Sequence, residues 1–322
     1  MTGIWNFTLV GIIYQIILGV SVQLINERTS VPLMILAMAI FGTIGVMTHY
    51  IDMPASLIVL IRGSVGTLSL LLLVMFIRYR LDTESIMANL FVLIASGICL
   101  GLNWVFLFEA YKTTTISTAT LCNYLTPAFV LLVSPVFLGE RFTVIKGVVV
   151  AIALLGLAMV SGILEKGISD PSEFLGIGEG ILAAVFYTGM IILNKFLRGI
   201  GSYERTIVQL AVGTVVVLIY CPFAFDFGSL HFDTLSIVLA VIMGVVQTGI
   251  AFTLYFGTLR YMDAGNAAIL GYVEPVVSLF LSAVILGELL GVVGWIGAVM
   301  ILGSTLVYQM VIRRTQPEPG KS

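Results

Sequence analysis

Charge is scarce in this sequence. Of 322 residues, 15 are Lys or Arg, 17 are Asp or Glu, and two are His. A water-soluble surface needs far more, so a soluble globular domain is excluded. The net charge of −2 is spread over short loops. So spread, it says nothing about nucleic acid, and no nucleic-acid partner is expected. Cysteine is rare as well. Cys99, Cys122 and Cys221 lie in or at the end of apolar stretches. Three thiols so placed give no disulfide framework and read as packing residues. His49 and His231 fall at span ends or in loops, and the chain has no HExxH, GxSxG or phosphate-cradling loop. An enzyme would need a nucleophile–base set or metal ligands. No catalytic residue, metal or cofactor is therefore expected, and the enzyme reading stays as a rival class beside a non-transporting scaffold.

Hydrophobic residues are abundant: they make up 59% of the chain, with mean hydropathy +1.13. A bilayer core takes about 20 helical residues to cross. Stretches of that length fall at 32–50, 55–77, 88–109, 117–138, 144–164, 175–194, 206–225, 235–258, 264–286 and 291–311. Residues 4–24 form a further apolar stretch, a candidate eleventh helix in an N-terminal extension of residues 1–31. The loop at 165–174 separates two halves, 32–164 and 175–311, and residues 312–322 form a tail.

The halves are copies. Without gaps, TATLCNYLTPAFVLLVSPVFLGE at 118–140 aligns with NAAILGYVEPVVSLFLSAVILGE at 266–288. Tyr124 meets Tyr272, Pro127 meets Pro275, and Leu138-Gly139-Glu140 meets Leu286-Gly287-Glu288. Each Pro must break its helix, because it frees the carbonyl four residues back: Asn123 in one copy, Gly271 in the other. In lipid each freed carbonyl needs a partner or a cavity. Five spans per repeat, an odd number, set the second copy upside down relative to the first. Twelve Lys and Arg lie on one face against Lys112 and Lys166 on the other. By the positive-inside rule the first face, with the C-terminus, is cytoplasmic. The expected fold is an all-α membrane protein of ten transmembrane helices in two inverted five-helix repeats, an architecture of secondary transporters.

Ile61-Arg62-Gly63, Ala110-Tyr111-Lys112, Thr126-Pro127 through Glu140, Thr258-Leu259-Arg260-Tyr261, and Glu274-Pro275 through Glu288 resemble the EamA-type transporters of the drug/metabolite transporter superfamily. The resemblance covers about 32–308. It implies a transporter in the cell membrane, and outward movement of substrate rests on it alone. The extension before residue 32 departs from the usual ten-helix pattern.

Glu274 is where the copies diverge, its counterpart being Thr126. An ionisable residue at mid-membrane is a functional site by default. Glu274 could bind a substrate ammonium or cycle a proton, which makes protons a candidate coupling ion; a carboxyl tying two helices is the bland reading. Arg62 keeps its charge at any accessible pH and could clamp a carboxylate or serve as an internal counter-ion. Asn103, Trp104, Asn123, Tyr124, Tyr187, Gln247 and Tyr272 stand around the two breaks as candidate substrate-binding groups, each equally explicable singly as helix packing. One deep Arg argues against phosphorylated substrates. One Arg with one Glu suits a zwitterion, so a small amino acid is expected. A quaternary-ammonium drug is the alternative, because Glu274 with Trp104, Tyr124 and Tyr272 could hold a cation. The partners expected are thus a small-molecule substrate and the lipid bilayer; the oligomeric state is not readable.

Overall fold

The computed structural model describes residues 25–139, 143–160, 171–224, 233–259, 261–262 and 264–315. The candidate helix at 4–24, Glu140, Arg260 and the tail beyond 315 lie outside them. Among the described residues there is no strand. The helices, in chain order, are α1 (Ser30–His49, with a turn at Thr43), α2 (Ala55–Phe76) and α3 (Leu90–Thr113). Then follow α4a (Ile116–Asn123), α4b (Thr126–Leu138) and α5 (Val144–Val160). The second half holds α6 (Pro171–Asn194), α7 (Ser202–Ala224) and α8 (Thr234–Leu259, with a π-helical stretch at Met243–Ile250). It ends with α9a (Ala264–Leu270), α9b (Val273–Leu281, running into a π turn at Ser282–Leu286) and α10 (Val292–Thr315). Among the described residues, seven helices are long and apolar enough to cross a membrane, and Val144–Val160, Val273–Leu286 and Val292–Tyr308 are shorter apolar ones. Exposed Leu68, Met75, Phe91, Val136, Val144, Phe223 and Val292 turn an apolar outer surface toward lipid.

Helix ends follow the local chemistry. Asp82, Thr115 and Asp233 cap helix N-termini through their side-chain oxygens. Each Leu-Gly-Glu copy stops its helix in the same way: Gly139 has φ +66° and Gly287 φ +69°, a left-handed C-cap that a residue with Cβ adopts at a cost. The helix expected from 175 starts earlier, at Pro171. Proline is pre-shaped for a first helical turn and gives up there only an N–H that would have no partner.

The halves interlock rather than sit side by side. In the first half, α3 and both parts of α4 carry α6 of the second; in the second, α8 and α9 carry α1 of the first. The pairs α3–α7 and α2–α8 are likewise exchanged by swapping the repeats, while α2–α7 and α5–α10 map onto themselves. Phe106 and Phe186 stack at 5.6 Å across α3–α6. Gly97 and Gly101, four residues apart on α3, form a packing surface: a Cβ at Gly101 would stand 2.8 Å from the Gly213 carbonyl oxygen of α7. Tyr308 is buried, whereas Trp295 is exposed.

Loop contacts define two ends. At the basic end Asn89 bonds to the backbone of Arg198, donating to its carbonyl at 2.9 Å and accepting its N–H at 3.0 Å. Buried Glu204 accepts from the Asp82 N–H at 3.2 Å and the Tyr79 hydroxyl at 3.3 Å. At the opposite end, Lys112 Nζ donates to the carbonyls of Ile51 at 2.7 Å and Thr48 at 3.4 Å, closing the C-terminus of α1.

Candidate functional site

The two Pro breaks meet in the middle of the molecule, and their freed carbonyls are satisfied by different means. In the first repeat the Thr126 hydroxyl donates to the Asn123 carbonyl at 2.6 Å. In the second, the residue at that place is Glu274, whose carboxylate has no proton to give. The Gly271 carbonyl is served instead by the Glu274 N–H at 3.2 Å and, from the other repeat, by the Tyr124 hydroxyl at 3.5 Å. Tyr124 and Tyr272 face each other across the repeats with ring centroids 6.4 Å apart. The Thr-to-Glu divergence thus places one carboxylate where its twin carries a helix-stabilising hydroxyl.

Glu274 stands in the first turn of α9b and is half-buried. Gly42 of α1 lets α9b approach closely: a Cβ there would lie 2.7 Å from the Glu274 carbonyl oxygen. Arg62, Tyr111, Tyr124, Tyr187 and Tyr255 all lie within electrostatic reach of its carboxylate. Arg62 is 4% exposed, its guanidinium carbon 4.8 Å from the Trp104 ring centroid and 5.6 Å from that of Phe108. Such stacking holds a desolvated guanidinium by about 2 kcal/mol. Nε of Arg62 has no hydrogen-bond partner among the described residues, and no ion pair joins Arg62 to Glu274. Two opposite charges therefore share one region without neutralising each other by contact.

Arg62, Trp104, Tyr124, Tyr187 and Glu274 are brought together. Asn103 is a helix tie, donating to Asn123 Oδ1 at 3.0 Å and to the Ala183 carbonyl at 2.9 Å. Tyr272 donates to Thr305 Oγ1 at 2.8 Å, away from the carboxylate. Gln247, fully buried in the π-helical stretch, donates to Thr43 Oγ1 at 3.0 Å, and its Oε1 has no partner among the described residues. Gln209 of α7 is spent on Ser96 and Asn194.

Sequence reading missed Phe108, Tyr111 and Tyr255. For the first two a signal existed: Trp104, Phe108 and Tyr111 recur at helical spacing and share one face of α3. For Tyr255 there was none, because the π-helical stretch before it shifts the phase of α8. Arg205 of α7 lies within electrostatic reach of Tyr187 and Tyr255, so these tyrosines extend the site toward the basic end.

A bundle of apolar helices, internally duplicated and carrying a carboxylate and a guanidinium at its broken centre, is a membrane transporter. The chain belongs to the EamA-like transporter family, which matches it twice, at residues 28–162 and 174–309. It is 30% identical to the transporter YxxF of Bacillus subtilis over 86% of this chain and 88% of that protein. It is 24% identical to the aromatic amino acid exporter YddG of Escherichia coli over 78% and 86% of the two chains. It is 28% identical to the pseudopaline exporter CntI of Pseudomonas aeruginosa over 52% and 56%. A solved crystal structure superimposes with TM-score 0.59 at 22% identity, covering 90% of this chain and 100% of the other, which shows the fold alone.

Proposed function

We propose that this transporter exports a small amphipathic metabolite, an amino acid, across the cell membrane by alternating access, with its basic end and C-terminus in the cytoplasm. One observation carries the reading: Arg62 and Glu274 lie within electrostatic reach of each other, and among the described residues no direct ion pair joins them and Arg62 Nε has no hydrogen-bond partner. A zwitterion completes that arrangement, its carboxylate toward Arg62 and its ammonium toward Glu274. Trp104, Phe108 and the tyrosines supply apolar surface for a side chain. The resemblance to an aromatic amino acid exporter supports this class and the outward direction. A quaternary-ammonium cation is the second reading, favoured by the four tyrosines around the carboxylate, which would hold a cation without using Arg62.

Glu274 is the group through which a proton would couple. Glu274→Gln keeps shape and loses charge and proton, so phenylalanine flux in proteoliposomes is expected to fall to background while insertion and melting temperature hold. Wild-type flux in that variant removes the carboxylate from the mechanism. Product formation from a candidate substrate without net flux would point to an enzyme instead.

A further inference from the structure

The far end of α9b makes a contact that the substrate site does not explain. After the left-handed Gly287, the chain turns back and points Glu288 across the repeat boundary. Its Oε2 accepts from the backbone N–H groups of Ile116 at 2.9 Å and Ser117 at 3.4 Å, and from the Ser282 hydroxyl. A carboxylate of the second repeat thus caps the N-terminus of α4a, the first half of the first repeat's broken helix, where the helix dipole favours negative charge.

A run of hydroxyls continues inward from this cap. Ser117 Oγ donates to Ser282 Oγ at 3.1 Å, and Thr120 Oγ1 pairs with Ser278 Oγ at 3.2 Å. All four are buried. Ser282, Ser278 and Glu274 are spaced four residues apart, so they lie along one face of α9b with the site carboxylate at its inner end. Tyr111, one of the tyrosines near Glu274, lies 3.4 Å from Thr120 Oγ1. The seam therefore runs from the site to the end of the molecule that carries Lys112.

The twin surface is built differently. In the repeat alignment Gly265, Ala268 and Val130 stand where the seam has Ser117, Thr120 and Ser278. Ser134, the twin of Ser282, accepts from Lys146 Nζ at 3.3 Å. The hydroxyl pairs thus belong to the contact between α4a and α9b, and the residues at the matching positions of the other copies do not repeat them. Hydroxyl pairs in a membrane bundle are individually weak and separable. The charge-assisted cap is the strong member.

We infer that Glu288 is the latch of a gate: bonded to the N-terminus of α4a, it holds α4a and α9b together and shuts the site from the Lys112 end. Release of the latch lets the two broken helices part along the hydroxyl seam and exposes the site to that side. The inference rests on the transporter reading of the same site and adds its gating residue and the closed end.

The test uses Ser278→Cys as a reporter in the full-length protein, in membranes, with a membrane-impermeant maleimide applied from each side separately. The parent with its three native cysteines gives the background. Ser278→Cys is expected to label slowly, and to label about tenfold faster from the Lys112 side when Glu288→Gln is added, the factor produced by losing one charge-assisted hydrogen bond from a two-state equilibrium. Ser282→Ala, which removes a hydroxyl from both cap and seam without touching the carboxylate, is expected to shift labelling the same way, and carries the test by itself if Glu288→Gln does not fold. An unchanged labelling rate in the folded variant, or acceleration only from the basic side, overturns the latch. Phenylalanine flux in the same vesicles separates this from the functional reading. Phenylalanine flux in the parent with unchanged labelling in the variants refutes the latch alone, whereas accelerated labelling in the variants of a parent that moves no phenylalanine supports the latch and refutes the substrate.

Discussion

Arg62→Lys separates three roles for the one buried guanidinium of the site. The substitution keeps the charge. It removes the planar group that lies 4.8 Å over Trp104 and 5.6 Å from Phe108, and it deletes Nε, the donor with no partner among the described residues. If a substrate carboxylate takes that donor, the loss is one charge-assisted hydrogen bond, about 1.5–3 kcal/mol. Amino-acid affinity should then fall about 10- to 150-fold. A point ammonium on a flexible stem cannot restore the fork. A quaternary ammonium offers Arg62 no acceptor, so its affinity should stay within about twofold of the parent, because charge is conserved. If Arg62 is only a counter-ion for the bundle, both ligands should weaken together and the melting temperature should drop with them. The assay is equilibrium binding of phenylalanine and of one quaternary ammonium to the purified variant, beside its thermal unfolding. Undiminished phenylalanine binding refutes the carboxylate clamp.

Gly42→Ala should destabilise the protein by about 1–3 kcal/mol and slow transport, since the new Cβ would sit 2.7 Å from the Glu274 carbonyl and 2.8 Å from Val277 Cβ. A parental melting temperature would show that α1 does not fix α9b. Asn103→Leu removes two donors to α4a and α6 and should cost about 1 kcal/mol, at roughly 0.6 for each membrane hydrogen bond. No change in thermal unfolding would make Asn103 a free site residue instead of a tie. Thr126→Val should lower stability by about 1 kcal/mol because the Asn123 carbonyl loses its 2.6 Å donor; unchanged unfolding would refute that repair of the break. With a pH gradient imposed on proteoliposomes, wild-type flux should respond and any residual Glu274→Gln flux should not. An equal response in both would take the proton away from Glu274.

The class of this protein is written along its length. Apolar runs long enough for a bilayer, with charge confined between them, specify membrane helices, because lipid offers the backbone no partner. The duplication is visible by direct comparison of 118–140 with 266–288. The breaks at Pro127 and Pro275 follow from covalent structure, as do the Gly139 and Gly287 caps. Arg62 and Glu274 stand out in one dimension because a charge inside an apolar run is costly wherever the run ends up. Partners are another matter. Tyr124 reaches the Gly271 carbonyl across 147 residues of sequence, and Glu288 reaches the amides of α4a across 172 and 171. Polar and aromatic character around the two breaks gave Asn103 and Tyr272 the same standing as Trp104 and Tyr124, yet packing spends Asn103 on Asn123 and Tyr272 on Thr305. Tyr255 joins the site only because a π-helical stretch turns α8 out of its expected phase. Local rules set which segments are helices and where they break; which polar group each break receives depended on how the two halves interlocked, because a hydrogen bond is decided by a few tenths of an ångström between elements that sequence leaves unplaced.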